Sequence, residues 1–228
     1  MKYEKKKRQQ TIKEEIANSI SHALMVPISI LVFFIYCRLL IQKKNFNFIY
    51  IFPLFLFTFS MFLLYLASSL YHAFSYSKIK YKLQKIDHIC IYLLIWGTFV
   101  PFLLIPSKLI LSNLFFIFNK NIFIFITQTF IVLFCILIKF FYFNKGRKIH
   151  LFLFFLLGWN GLFFLKDLLS IYYKIVFFLL LGGFVYSFGV FFYYKSSYYK
   201  YYHFIWHIFV ILGNFLHILS IYIFLNKI

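Results

Sequence analysis

The sequence predicts an all-α integral membrane protein, a bundle of seven transmembrane helices. Three observations carry that prediction. Hydrophobic residues make up 64% of the 228 positions, against roughly 45–50% in soluble domains. A soluble core of this size could not hide that much apolar surface. Apolar runs of at least seventeen residues occur seven times, each long enough to reach across a bilayer core. The 24 Lys and Arg outnumber the 5 Asp and Glu and fall mostly between those runs, where such residues set topology and attract anionic headgroups. That placement excludes nucleic acid as the partner of the basic charge. The aromatic share of 26% reads as a compositional bias of the genome.

Taken in order, residues 1–18 read as a basic tail and residues 19–228 as one transmembrane domain. The predicted spans are Ser19–Leu40, Phe48–Phe74, Ile86–Ile105, Asn121–Phe143, Ile149–Leu165, Ile175–Tyr194 and His203–Leu225. The first run exceeds twenty residues. It is too long for the apolar region of a secretory signal and has no small-residue cleavage site, so a retained first helix is expected. Pro27 and Pro53 lie in early turns of the first two spans, and Pro101 and Pro106 mark the end of the third. Leu109–Phe118 is too short to span and reads as interfacial or as an extension of span four. Span five reaches only about 25 Å at 1.5 Å per residue, the lower limit for a bilayer core. Cys37, Cys90 and Cys135 lie in separate runs without a CxxC pattern, so neither a disulfide framework nor a thiolate metal site is indicated.

Counting Lys and Arg by connection gives sixteen on the side of the N-terminal tail and eight on the other. Under the positive-inside rule the N-terminus is expected in the cytosol and the C-terminus outside. With that orientation, polar residues converge on one leaflet. Ser68 and His72 end the second span on the cytosolic side, Asp87 opens the third there, and His203 and His207 open the seventh. Ionisable groups inside spans are costly, which makes them candidates for function.

The spacings suit a metal. His203 and His207 are i,i+4 and share a helix face, as do Ser68 and His72. Three neutral imidazoles with one open position form the ligand set of a catalytic zinc. A carboxylate nearby could accept a proton from water and orient it. The metal reading therefore assigns Zn2+ to His72, His203 and His207, with Asp87 and Ser68 in catalytic roles. The structural alternative is a set of interfacial histidines bonded to headgroups or carbonyls. His217 lies about 15 Å deeper than His207, outside that sphere, where it would line a cavity or bond within the bundle. His88 points away from Asp87, His150 reads as interfacial, and His22, near Asn18, reads as support for the site. Asp167, next to Lys166, reads as an interfacial charge. Gly182, Gly183 and Gly189 read as allowing close helix approach.

These residues, in this order, resemble the haemolysin III family, a branch of the progestin and adipoQ receptor superfamily. The resemblance begins at Glu14-Glu15-Ile16-Ala17-Asn18-Ser19-Ile20-Ser21-His22 and continues through Ser68-Ser69-Leu70-Tyr71-His72 and Asp87-His88. It extends over Ile91 to Phe102, Gly158-Trp159, Gly182 to Gly189 and His203 to His217. The resemblance implies a seven-helix fold with a cytosolic N-terminus. It also implies zinc held by the three histidines matching His72, His203 and His207, with the acidic residue matching Asp87 bonded to the water on that zinc and a motif serine matching Ser68. Alkaline ceramidases share the pattern, which implies hydrolysis of a lipid amide such as ceramide. The family name implies instead a pore-forming cytolysin. A lipid-sensing receptor with structural zinc is the remaining expectation. Apolar spans nearly all round, without a polar lumen face, argue against a pore.

Overall fold

The structure, a computed structural model, describes residues 8–105, 114–142 and 147–228, with side chains described over 8–105, 120–142 and 149–228. The lysines before Arg8, Pro106, Lys108, Lys145 and the 109–113 part of the third connection lie outside the described residues.

Every regular element among the described residues is helical, and seven helical stretches are long and apolar enough to cross a membrane. The first is a broken pair, α1 (Ile12–Ala23) and α2 (Met25–Gln42). Thr11 opens α1 with a capping box: its hydroxyl accepts from Glu14 N–H, and Glu14 accepts from Thr11 N–H in return, satisfying two end donors. The break at Leu24 falls where Pro27 would press its ring against the carbonyl of residue 23, four positions back. Helix formation therefore starts seven residues before the expected Ser19.

The second span is α3 (Phe48–Ala73), capped by Asn47, and the third is α4 (Lys80–Leu104). Pro101 lies inside the last turn of α4 and does not end it. Helix α5 (Leu114–Phe141) takes in residues 114–118, so that part of the third connection extends span four. Helix α6 (Arg147–Trp159), a 3-10 stretch Asn160–Phe164 and α7 (Leu165–Ile171) make up the fifth span. The tail of this composite supplies the length that Ile149–Leu165 lacked. The sixth and seventh spans are α8 (Tyr173–Lys195) and α9 (Tyr202–Lys227).

Packing follows from small residues and inward polar groups. Helices α3 and α4 pair closely, and a Cβ on Gly97 would lie 2.1 Å from Ser60 Oγ. Helices α8 and α9 form the second close pair, tied where Ser220 Oγ donates to Ile175 C=O at 2.7 Å. Helix α1 lies against α3 and α9. Its polar residues Glu14, Glu15, Asn18, Ser21 and His22 are buried, while Ile12, Ile16, Ile20 and Leu24 are exposed. This reverses the water-soluble pattern: where lipid is the solvent, the apolar stripe faces out and the polar stripe faces the bundle. Phe130, Phe134, Leu137 and Phe141 form a similar outward stripe on α5.

Candidate metal centre

Two helices bring the histidines together. His72 ends α3, while His203 and His207 stand one turn apart at the start of α9. Their ring centroids are 5.0 Å (His72–His203), 5.1 Å (His72–His207) and 4.8 Å (His203–His207) apart. One ligand nitrogen from each lies within 4.8 Å of the others. A tetrahedral zinc with Zn–N near 2.0–2.1 Å holds its nitrogens about 3.4 Å apart, a closure within reach of side-chain rotation.

Hydrogen bonds fix which nitrogen of His72 and of His207 faces inward. His72 Nδ1 lies 2.6 Å from Glu15 Oε2. The carboxylate can only accept, so Nδ1 carries the proton and Nε2 keeps its lone pair. That Nε2 is buried and without a hydrogen-bond partner. His207 Nδ1 lies 3.0 Å from Ser21 Oγ and 3.2 Å from the Asn18 carbonyl. The Ser21 hydroxyl already donates to that carbonyl at 2.8 Å. His207 Nδ1 is therefore also the donor, and its Nε2 is free to ligate. A buried imidazole lone pair beside two further histidines fits a divalent metal, and the outer bonds are the kind that orient metal-ligating histidines.

Helix α1 provides both outer supports. Glu15 is shared, its other oxygen accepting from Lys80 Nζ at 2.9 Å. Glu14, one residue back, accepts from Arg8 and, at 2.7 Å, from Tyr201 N–H. Arg8 N–H donates to Ser197 C=O at 2.9 Å, so the start of α1 is clasped to the turn that leads into His203. Tyr201 has a left-handed backbone, φ 60°, a conformation costly for a tyrosine, and the Glu14 carboxylate meets its N–H.

Ser68 and Asp87, expected in the same leaflet, are both buried. The Ser68 hydroxyl hydrogen-bonds the Asp87 carboxyl, and His72 and Lys139 lie near it. Lys139 is only 5% exposed, an unusual burial that the sequence reading did not anticipate. The remaining histidines divide. His22 stacks on His207 with centroids 3.7 Å apart and planes 7° off parallel. His150 is buried, with Tyr92 Oη 2.8 Å from its Nδ1. His217 is buried, and its Nε2 lies 3.2 Å from Leu179 O. Asp167 pairs with Lys120 at 2.8 Å, where Lys166 was the expected neighbour. Cys37, Cys90 and Cys135 are free thiols.

A cavity runs from the histidines into the bundle between α4, α6, α8 and α9, with Asp87, His203 and His207 at one end and Leu94, Phe155 and Leu180 among its walls. Its end at the histidines is polar and much of the remaining lining is apolar, a chemistry that suits an amphipathic molecule.

Glu15, Ser21 and Lys139 were missed as site residues. For Glu15 a signal existed. The Thr11–Glu14 capping box starts a helix at Ile12, and from there Glu15, Asn18 and His22 share one face with i, i+3, i+7 spacing.

The family model described as haemolysin-III related matches residues 10–218. A hemolysin-3 homolog of Bacillus subtilis (strain 168) is 36% identical over 208 residues, covering 90% of this chain and 91% of the relative. A hemolysin-3 of Bacillus cereus is 32% identical over 207 residues, covering 90% of this chain and 89% of the relative.

Proposed function

We propose that this multi-pass membrane protein, which belongs to the haemolysin-III-related family, holds zinc on His72, His203 and His207 near the cytosolic face and uses it to hydrolyse an amide in a ceramide-like lipid. The observation that carries the reading is His72 Nε2, a buried lone pair with no partner in a cluster with two other histidines. Such a group costs free energy unless something meets it. Zinc bound there would act as a Lewis acid on the lipid carbonyl and increase the acidity of water.

The chain's own residues have distinct tasks. Glu15, Ser21 and the Asn18 carbonyl hold His72 and His207 with their Nε2 atoms turned inward. Asp87 takes the proton from the attacking water and passes it to the leaving amine, within reach of Ser68, which holds the carboxyl in place. The apolar part of the cavity lining positions the lipid chains.

The cytosolic placement rests on the sixteen-to-eight basic asymmetry. A second reading has the support of the relatives' names: two hemolysin-3 proteins favour membrane lysis as the activity. Metal analysis of detergent-purified wild type and His207→Ala, with ceramide turnover on the same samples, tests the first reading. About one zinc per wild-type chain, lost with turnover in the variant, is the expected result. Wild-type protein without zinc overturns it.

A further inference from the structure

The cavity has a second polar region, far from the metal histidines. His217 stands ten residues after His207 on α9, about 15 Å along the axis. Its Nε2 lies 3.2 Å from the Leu179 carbonyl, which can only accept, so Nε2–H is the donor and Nδ1 is a bare acceptor. That Nδ1 is buried without a partner, and so is the Tyr186 hydroxyl. Both residues line the cavity, with ring centroids 5.3 Å apart. Behind them, Asn214 Nδ2 donates to Tyr65 Oη at 3.0 Å, leaving Asn214 Oδ1 buried and unmet.

The region is built, not incidental. A Cβ on Gly182 would lie 2.4 Å from the His217 ring, and one on Gly213 would lie 2.8 Å from the Tyr186 ring. The two glycines clear the space in which these polar rings stand. At membrane depth an unmet donor or acceptor costs several times what it costs near water. Two such groups on one cavity wall therefore point to a ligand that both gives and takes a hydrogen bond. A hydroxyl does both: it donates to His217 Nδ1 and accepts from Tyr186 Oη.

We infer that the cavity takes a lipid whose head lies at the metal histidines and whose chain carries a hydroxyl roughly 15 Å away, met by Tyr186 and His217. The inference rests on the proposed head-binding role of His207. Water is the other source of the same chemistry, and the test separates the two.

The probes are stearate and 12-hydroxystearate, bound to the detergent-purified, zinc-treated full chain. The hydroxyl should tighten binding at least five-fold, since each net hydrogen bond is worth about that factor. Tyr186→Phe and His217→Leu should each cut the ratio about five-fold, and the double variant should bring it to about one, while stearate binding stays near wild type. A wild-type ratio of one, meaning that water already meets these groups, overturns the inference; so does a ratio that survives both substitutions. His207→Ala separates this from failure of the head-binding role. If only that role fails, the variant binds both probes as wild type does and the wild-type ratio stands. If only the hydroxyl site fails, the variant weakens both probes and the ratio is one throughout.

Discussion

Nδ1 of His72 and Oε2 of Glu15 are 2.6 Å apart although 57 residues separate them in the chain. This contact joins α1 to the end of α3 and fixes the tautomer of a candidate metal ligand. Lys80, on α4, meets the other oxygen of the same carboxylate at 2.9 Å. Glu15 thus ties three spans together at the one place where their polar ends converge.

Glu15→Ala should weaken zinc binding about 10- to 100-fold without removing a ligand, the usual effect of losing an outer partner of a metal-bound histidine. Glu15→Gln should fall between, because an amide oxygen still accepts from Nδ1 but carries no charge. Zinc titration with a competing chelator reads both. Wild-type affinity in Glu15→Ala would detach α1 from the site.

Single substitutions His72→Ala, His203→Ala and His207→Ala should each remove or greatly weaken stoichiometric zinc. Asp87→Ala should retain it, since Asp87 is assigned to proton transfer and not to ligation. Asp167→Ala should leave zinc unchanged, because its partner is Lys120 on α5. Metal analysis of the five variants decides. Zinc persisting in all three histidine variants would remove the centre as described.

The spans were legible because the membrane imposes a length: seven apolar runs became seven helical spans, the first and fifth of them broken, and His72, His203 and His207 met as their positions at the span ends implied. What was not legible was the role of α1. A charged stretch before an apolar run reads as a tail, and the proper start of the helix rested on a capping box only one turn long. Glu15 and Ser21 were hidden for that reason. His150 is held by Tyr92 on α4, a contact that the Lys and Arg around it in the sequence did not suggest. Lys139 gave no signal, since a lysine closing an apolar run normally snorkels to the surface.

Helix packing gives a paired stability prediction. Gly97→Ala places a Cβ 2.1 Å from Ser60 Oγ, so α3 and α4 must part or Ser60 must shift, at a cost of about 1–3 kcal/mol. Gly158→Ala meets nothing within 4 Å and should be neutral or stabilising by about 0.5–1 kcal/mol, as alanine favours the helix. Thermal melting in one detergent compares them. A Gly97→Ala protein as stable as wild type would show that this pair packs less closely than described.

Reporter fusions at both termini test the orientation. The sixteen-to-eight distribution of Lys and Arg predicts a cytosolic N-terminus and a non-cytosolic C-terminus. An inverted result would put the histidines in the outer leaflet and require the lipid to enter from there.

Asp87→Asn separates the hydrolytic reading from the lytic one. The substitution preserves the size of the side chain and removes the base, so lipid amide hydrolysis should fall by about 10²–10⁴, the contribution of a positioned proton acceptor. The fold and zinc content should remain, because Ser68 can still bond the amide and no ligand is altered. Lysis has no use for a proton acceptor in the cytosolic leaflet. It should instead track protein concentration and the basic surface, and decline as salt screens the attraction to anionic lipid. Dye release from vesicles and ceramide turnover, measured on one preparation, therefore give opposite expectations for the same residue. If the variant is folded and zinc-loaded yet has lost both activities, lysis depends on the metal chemistry and the two readings become one.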